Sequence, residues 1–427
     1  MRTAEAYKGG ENFDLRQVLL RGRALRLRER IGVLGGFLTD ITDRRHLLTM
    51  RIVSSAADRE VTIIDPYTGE PRLMLMFGSN NYLGLANHPH VRQRVIEAIR
   101  EYGAGVGGPP LLNGYTLLHR ELEERLAALK GSEDALIFSS GYGANVGLVT
   151  GLMNVDDAVL YDTYSHASFF DGIRMAGVQS FRFPHNDIDR LTQMLETRRG
   201  SAGDVFVGVE GVYSMDGDLA PLDVLVPLCA SHGAILVVDD AHGTGVMGAK
   251  GRGTAEHFGV EGQVDVTMGT FSKAFVCTGG FVAASKPIID YLRYFARSYM
   301  FSASLPPAAI ATVLASLDVI NQEPELLLKL RANVQQAANA LQQSGFDVHP
   351  DAAIIPLRVP GEMDIRRMAL RFHERGFFLN SVEYPAVPVS QQRFRVSIMA
   401  THTPEDIDRL VDAINEVWAE ETASAAA

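Results

Sequence analysis

Two stretches in the first third of the chain repeat apolar residues at the spacing of an amphipathic α-helix. The first is "HPHVRQRVIEAIREYG", with Pro89 near its first turn and apolar residues at Val91, Val95, Ile96 and Ile99. The second is "YTLLHRELEERLAALKG", with Gly131 as its predicted end and apolar residues at Leu118, Leu122, Leu126 and Leu129. The pattern therefore predicts two helices before Ser132.

The pattern then changes to short apolar runs separated by segments of helical length. The runs are "ALIFSSG", "AVLYDTYSH", "FVGVEG", "AILVVDDAHG", "VTMGTFSK" and "GFVAAS". Uninterrupted apolar strands that alternate with helices predict an α/β fold with a mostly parallel sheet covered on both faces. After Pro306 and Pro307, the runs "AIIPLRV", "FFLNSV" and "FRVSIM" predict a smaller α/β domain. We therefore expect an N-terminal segment over residues 1–75, a large domain over 76–305 and a small domain over 306–427.

Four of the runs end in polar side chains. These ends carry Ser165 and His166, Glu210, Asp239 and His242, and the segment from Thr270 to Lys273. Because open α/β sheets bind ligands beyond the carboxyl ends of their strands, we expect these groups to meet at one edge of the sheet.

Charge and composition exclude several classes of protein. A net charge of −11 and an isoelectric point near 5.6 argue against a nucleic-acid-binding protein, which needs a basic face. The chain has no signal-peptide core and no uncharged apolar stretch of 18 residues, so we expect a cytoplasmic protein without a transmembrane segment. Cys229 and Cys277 are too few for a disulfide framework or a four-thiolate metal site, and we expect no metal.

An arginine-rich segment over residues 14–30 is predicted to form one helix. Its arginines are Arg16, Arg21, Arg23, Arg26, Arg28 and Arg30. Either they form a solvated helix face, or they dock an anionic partner such as a coenzyme phosphate or an acidic carrier protein.

The strand ends carry the groups that a cationic pyridine cofactor with a phosphate needs. Such a cofactor takes a lysine for a Schiff base and a carboxylate for its ring nitrogen, and Lys273 and Asp239 are of these types. The other candidates are Ser140, Gly141, Tyr142, Thr270 and Ser272 for the phosphate, His166 for stacking on the ring and His242 for its phenolic oxygen. By contrast, the GxGxxG pattern in "GAGVGGPP" follows a predicted helix, which argues against a dinucleotide site.

Seven ordered motifs resemble the α-oxoamine synthases, which are pyridoxal 5′-phosphate-dependent acyltransferases of fold type I. The motifs are "SNNYLGL", "SSGYGAN", "YSHASFFDG", "EGVYSMDGD", "VVDDAHGTG", "TFSKAF" and "FSASLPP". The resemblance extends from residue 77 to residue 410. It implies a large cofactor-binding domain with a mostly parallel central sheet, a smaller C-terminal α/β domain and a homodimer with shared active sites.

The resemblance also implies roles for single residues. Lys273 would be the Schiff-base lysine and catalytic base, Asp239 the partner of the pyridinium nitrogen, and His166 the ring that stacks on the cofactor. The remaining matches are His242 and Ser214 near the phenolic oxygen, Gly141, Tyr142 and Thr270 at the phosphate, Ser302 or Ser304 from the neighbouring subunit, Arg395 at the carboxylate of the amino acid, and Asn81 in a loop that lines the site.

The implied reaction is the decarboxylative condensation of a small amino acid with an acyl thioester, giving an α-amino ketone. "EGVYSM", "TFSK" and "FSASLPP" are most similar to serine palmitoyltransferase, and "NNYLGL" lacks the aspartate of the glycine-using 5-aminolevulinate synthase. Serine or alanine is therefore favoured, with glycine as a third candidate.

One loop departs from the family pattern. Gly108, Pro109 and Pro110 stand where the family has Gly-Ser-Arg or Gly-Ser-Gly, and two prolines stiffen the loop and remove two backbone donors. Either the acyl donor is not a simple coenzyme A thioester but, for example, an acyl group bound to a carrier protein, or the loop is a neutral variant.

Two other functions remain open. The same scaffold serves aminotransferases and aldolases, although "SHAS" and "SMDGD" weigh against them. A regulatory subunit of a heteromeric synthase is the other alternative, but such a subunit should have lost the lysine that is present here at position 273.

Overall fold

The computed structural model describes residues 15–198 and 203–426. The described chain begins with helices α1 (Leu15–Gly22) and α2 (Leu27–Asp43) and strands β1 (Ile52–Val53), β2 (Glu60–Ile64) and β3 (Pro71–Met76). The arginine-rich segment thus forms two helices, and the prediction of a single helix is wrong. Glycine is a poor helix former and ends α1 at Gly22, and the side chain of Glu29 accepts a hydrogen bond from the backbone of Arg26 at 3.0 Å, which starts α2. Residue 14 lies outside the described residues.

The central part of the chain alternates strands and helices. In order, it contains α3 (Pro89–Tyr102), α4 (Leu117–Lys130), β4 (Asp134–Phe138), α5 (Gly141–Leu152), β5 (Ala158–Asp162), α6 (Ala167–Ala176), β6 (Gln179–Phe183), α7 (Ile188–Glu196), β7 (Val205–Glu210), α8 (Leu222–His232), β8 (Ile235–Asp239), α9 (Thr254–His257), β9 (Val266–Thr270), β10 (Gly280–Ala284), α10 (Lys286–Phe295) and α11 (Arg297–Met300).

Seven of these strands form one sheet in the order β4-β10-β9-β8-β7-β5-β6. Neighbours from β9 to β6 are parallel, and β10 is antiparallel to both β4 and β9. All six predicted runs are strands of this sheet, so the mostly parallel α/β architecture is confirmed. The sequence analysis missed β6 because it is an edge strand in which Phe183 alone is buried.

The two predicted amphipathic helices are present as α3 and α4. In α4, Leu122 and Leu126 are fully buried, and Gly131 ends the helix with a φ of 65°, a conformation that favours glycine. In α3, Val91 is buried, but Ile96 and Ile99 are 43% and 44% exposed, so part of the predicted apolar face is not covered within the chain.

The C-terminal part contains α12 (Pro307–Gln322), α13 (Glu325–Gln343), β11 (Ile354–Arg358), α14 (Ile365–Glu374), β12 (Phe377–Phe378), β13 (Asn380–Val382), β14 (Arg393–Ser397) and α15 (Pro404–Ala426). The predicted strand "FFLNSV" is divided between two sheets, because β12 pairs with β3 in parallel while β13 pairs with β14. β11 completes the second sheet, in the order β11-β14-β13.

The pairing of β12 with β3 bears on the predicted domain limits. The limit expected between residues 75 and 76 falls inside β3. The last two residues of β3 pair with β12, which belongs to the C-terminal part of the chain. The domain limits therefore stay a prediction.

Two smaller findings concern the cysteines and the membrane. Cys229 is buried in an apolar cluster, and Cys277 is partly buried with its Sγ 3.5 Å from the carbonyl of Ala309, so both cysteines occupy packed positions. Within the described ranges, no helix has the length and apolar character needed to span a bilayer.

Candidate active site

One cavity of about 240 Å³ lies beyond the carboxyl ends of the central strands. Its wall includes residues that follow β4, β5, β7, β8 and β9, as the polar strand ends predicted. The predicted site residues that line it are Ser140, Gly141, Tyr142, His166, Ser214, Asp239, His242, Thr270, Ser272 and Lys273.

Four other predicted residues lie elsewhere. Ser302 and Ser304 line a second, much smaller cavity next to Pro110. The backbone N–H of Ser304 donates to the carbonyl of Gly108 at 3.1 Å. This hydrogen bond ties the segment to the loop of Gly108, Pro109 and Pro110, which we call the proline loop. The side chain of Asn81 accepts from the backbone of Ala86 at 3.4 Å and stabilises its own loop. Arg395 is buried beside the main cavity and is described below.

The N-terminus of α5 forms an anion cradle, which we define as Ser140, Gly141, Thr270 and Ser272. Ser140 caps the helix by accepting from the backbone of Gly143 at 2.9 Å, and the Oγ atoms of Thr270 and Ser272 are 3.0 Å apart. A Cβ at Gly141 would lie 2.7 Å from Thr270 Oγ1, so only glycine leaves space between the helix and the strand. Helix N–H groups, the helix dipole and hydroxyl donors together favour a phosphate here.

Tyr142 lies at the edge of the cavity, and about half of its surface is exposed. Its hydroxyl donates to Asp171 on α6. The ring therefore has a fixed position beside the cradle.

Asp239 ends β8 with its carboxylate at the cavity. Oδ2 accepts from Asn145 Nδ2 at 2.7 Å, and Oδ1 accepts from the backbone of Ala241 at 3.1 Å. The two hydrogen bonds hold this buried carboxylate in one orientation. It can pair with a cationic ring nitrogen.

Lys273 faces the same cavity from the loop after β9. Burial lowers the pKa of its ammonium group, and the charge of Arg395 adds to this, whereas the nearby carboxylates of Asp239 and Glu210 oppose it. A lysine whose pKa is lowered holds more of its amine form near neutral pH, and the amine is the form that attacks a carbonyl or accepts a proton.

His166 lies at the start of α6, in contact with the hydrogen-bond network around Asp239. Ser168 Oγ accepts from Asn145 at 2.9 Å and is 2.7 Å from His166 Nδ1, to which it can donate. Burial lowers the pKa of the His166 imidazole. The ring is thus neutral and fixed by a network that ends at Asp239.

His242 is fully enclosed on the other side of the cavity. Burial places its pKa well below the ordinary value, and the charges of Lys273 and Arg395 act in the same direction. Its Nδ1 lies 2.8 Å from the hydroxyl of Tyr82. A neutral imidazole of this kind can take part in a hydrogen bond to a phenolic oxygen.

Arg395 is a buried cation whose partners are all uncharged. Its guanidinium donates to Ser214 O at 2.6 Å, Asn80 Oδ1 at 2.9 Å, Ser397 Oγ at 3.1 Å and Tyr82 OH at 3.3 Å. No carboxylate among the described residues forms a salt bridge with it. A buried charge without a counter-ion is costly, so a carboxylate ligand is favoured beside it.

The structure adds residues that the sequence analysis did not assign. Asn145, Ser168 and Tyr82 position Asp239, His166 and His242; each stands in one of the seven motifs, but the sequence analysis gave it no role. Glu210 had a visible signal, since it ends a strand like Asp239. It is the register partner of Asp239 on the neighbouring strand, and its Oε1 has no hydrogen-bond partner within the described residues. Burial and the charge of Asp239 raise the pKa of Glu210 well above its ordinary value, and the charge of Lys273 opposes this shift.

The cavity fits a phosphorylated pyridine cofactor on these observations. The anion cradle offers helix N–H groups and hydroxyl donors to a phosphate, Asp239 suits a protonated ring nitrogen, and Lys273 suits a Schiff base. Asn145 Oδ1 is a further buried oxygen without a partner among the described residues, on the wall of the same cavity.

Comparison with known proteins agrees with this chemistry. The family model "Aminotransferase class I and II" matches residues 73–414. A serine palmitoyltransferase of Bacteriovorax stolpii is 41% identical and covers 84% of this chain and 85% of its own length. An 8-amino-7-oxononanoate synthase of Geotalea daltonii is 40% identical and covers 86% of this chain and 93% of its own length.

Among solved structures, a serine palmitoyltransferase from S. paucimobilis with a bound PLP–myriocin aldimine has a TM-score of 0.86. It is 31% identical and covers 93% of this chain and 100% of its own. The serine palmitoyltransferase and the 8-amino-7-oxononanoate synthase match this chain over similar lengths and at similar identity. These similarities therefore define the family of the chain but not its substrate.

Proposed function

Because the chain belongs to the α-oxoamine synthases of the aminotransferase class I and II family, which depend on pyridoxal 5′-phosphate, we propose that it condenses serine or alanine with an acyl thioester. Glycine is the third candidate amino acid. The new C–C bond joins Cα to the acyl carbon and the C–S bond breaks. The bond from Cα to the carboxylate carbon also breaks, so the products are an α-amino ketone, CO₂ and a free thiol.

The observation that carries the proposal is the meeting of Lys273, Asp239 and the anion cradle in one cavity. When bound, the cofactor supplies an electron sink for the negative charge that develops at Cα. Asp239 holds the proton on the ring nitrogen and thereby stabilises that charge. Lys273 Nζ takes the proton from Cα, which requires the amine form that its surroundings favour.

The other residues bind and orient the amino acid. Arg395 binds the carboxylate of the amino acid, because its present partners are neutral oxygens that leave its charge unpaired. His166 would pack on one face of the cofactor ring, and His242 and Ser214 would hold its phenolic oxygen, since all three line the cavity. We assign Ser302 and Ser304 to the cofactor site of a neighbouring subunit, since both lie outside the cavity of their own chain.

A homodimer follows from the same assignment. A surface cavity of about 640 Å³ beside α5 and α11 is flanked by three exposed apolar residues, Val155 (62%), Met175 (68%) and Phe301 (72%). An apolar patch of this kind needs a partner surface. We place the second copy there and the enzyme in the cytoplasm.

The acyl donor is coenzyme A or an acyl carrier protein. The proline loop is braced from both sides, because Pro109 O accepts from the backbone of Gly114 at 3.0 Å and Gly108 O accepts from Ser304. A rigid loop joined to the Ser302–Ser304 segment would limit the shape of the donor. Comparing the kcat/KM for one acyl chain on coenzyme A and on a carrier protein decides between the two donors.

The amino acid is identified by titrating the holoenzyme with serine, alanine and glycine and recording the visible absorption of the cofactor. We expect saturable changes, tightest for serine or alanine. An aminotransferase would instead convert the cofactor to its amine form without any acyl thioester. Such a half-reaction at a rate close to turnover would reject the condensing function.

A further inference from the structure

Helix α2 has two apolar faces, and the protein covers one of them. Val33, Phe37 and Ile41 are buried together with Val18 of α1. A second set, which we name the apolar stripe, follows at the same helical spacing and projects from the surface. It consists of Leu27 (62% exposed), Ile31 (59%), Leu34 (39%) and Leu38 (41%).

Exposed arginines border the apolar stripe. With 100° of rotation per residue, Arg28 lies about 100° to one side of Leu27 and Arg30 about 60° to the other. Arg16, Arg23 and Arg26 are also exposed, and no described residue forms a salt bridge with Arg16, Arg23 or Arg28. Residues 15–31 contain six arginines and one glutamate, whereas the whole chain has a net charge of −11. The positive charge is therefore concentrated from α1 to the first turn of α2, beside the N-terminal end of the stripe.

The charge decides which partner fits. A second copy that docked this surface against itself on a two-fold axis would bring two arginine clusters together, which is unfavourable. An amphipathic helix with arginines beside long aliphatic side chains is typical of segments that lie in the headgroup region of anionic bilayers. Leu19 and Leu20 of the adjoining helix are about half exposed and add apolar surface to this region.

We propose that α1 and α2 bind the surface of an anionic membrane, with the apolar stripe in the headgroup region and the arginines at lipid phosphates. None of these residues lines the catalytic cavity, so the binding is separate from the chemistry. It would place the enzyme where acyl chains and amphiphilic products partition.

Vesicle flotation tests this proposal with the full chain loaded with its cofactor. We expect binding to vesicles of phosphatidylcholine with phosphatidylglycerol, weak binding to phosphatidylcholine alone, and a loss of binding as salt rises. Arg23→Glu/Arg28→Glu and Leu27→Ser/Ile31→Ser/Leu34→Ser should each weaken the partition coefficient by roughly tenfold or more. Matched controls on other surfaces are Arg100→Glu/Arg409→Glu, two exposed arginines without a salt bridge to a described residue, and Leu328→Ser; both should bind as the parent does.

Thermal melting and turnover with short-chain substrates show that the variants are folded, and both should match the parent. Absence of binding to the anionic vesicles would overturn the proposal. Binding of the stripe variant, Leu27→Ser/Ile31→Ser/Leu34→Ser, that equals the binding of the parent would overturn it as well. Dissociation of an oligomer in the stripe variant, seen by light scattering, would also overturn it, because a second copy would then occupy the stripe.

Discussion

Asn145 donates from Nδ2 to Oδ2 of Asp239 at 2.7 Å, across the gap between α5 and the end of β8. The same amide donates to Ser168, which contacts His166. One side chain therefore positions both the carboxylate expected at the ring nitrogen and the imidazole expected on the ring face.

Asn145→Ala should lower kcat roughly tenfold to a hundredfold, because a hydrogen bond to a charged group is worth about 1.5–3 kcal/mol. Steady-state kinetics with saturating cofactor measures the change. Asn333→Ala is the matched control, since this buried amide donates to Met399 O and His402 O, away from the cavity. The control should lose stability and keep its kcat, and an equal loss of kcat in both variants would contradict the role of Asn145.

Lys273 should react as an amine at a lower pH than an ordinary lysine. Competitive acylation of the cofactor-free protein, followed by mass spectrometry, measures the pKa of this group, and exposed Lys329 provides an internal standard. We expect a pKa below 10.5, because burial disfavours the ammonium form. Asp239→Asn should lower it further, since the carboxylate of Asp239 raises it. A higher pKa in that variant would refute the electrostatic account.

Two arginines on β14 separate a binding role from a structural one. Arg393 is paired with Asp216, whereas Arg395 has neutral partners. Arg395→Lys should raise KM for the amino acid roughly tenfold to a hundredfold and leave KM for the acyl donor unchanged, because one charged hydrogen-bonded contact is weakened. Arg393→Lys should instead lower the melting temperature. An unchanged KM for the amino acid in Arg395→Lys would exclude it from carboxylate binding.

His185 predicts a loss of stability at alkaline pH. Burial lowers the pKa of its imidazole, but hydrogen bonds to Asp162 at 3.1 Å and Asp218 at 2.6 Å outweigh burial and raise it to about 9. Because the folded-state pKa lies above the unfolded value near 6.5, the stabilisation is complete below about pH 6.5 and disappears as pH rises through about 9. The upper limit is about 3 kcal/mol.

Urea unfolding at a series of pH values measures this effect as the free energy of unfolding. His185→Gln should flatten the profile between pH 6.5 and 9, while the exposed His349→Gln should leave it unchanged. A profile in His185→Gln that matches the parent would show that another group is responsible.

The sequence predicted the large sheet because its strands are continuous apolar runs. The edge strand β6 was missed because most of its residues are exposed, and "FFLNSV" was assigned to one strand because its division between two sheets depends on partners distant in sequence. Turns are local, which is why Gly131 was predicted correctly as a helix end.

In the candidate site, too, local sequence patterns were predictable and contacts between distant residues were not. Ser140, Asp239 and Lys273 were visible because they end or closely follow strands, and strand ends meet at one edge of a parallel sheet. The roles of Asn145 and Tyr82 were not predicted, although both stand in quoted motifs, because these roles arise from contacts with residues 94 and at least 160 positions away in the sequence. The neutral environment of Arg395 also depends on residues brought together only by folding.

The most direct test of the condensation itself is a single incubation of the holoenzyme with carboxyl-labelled serine or alanine and an acyl thioester. Free thiol and labelled CO₂ are measured together. We predict that both appear in equal amounts, that neither appears without the acyl donor, and that Lys273→Ala lowers both by about 10³-fold or more. Absence of thiol release with serine, alanine and glycine, across a range of acyl chains on coenzyme A and on a carrier protein, would contradict the account.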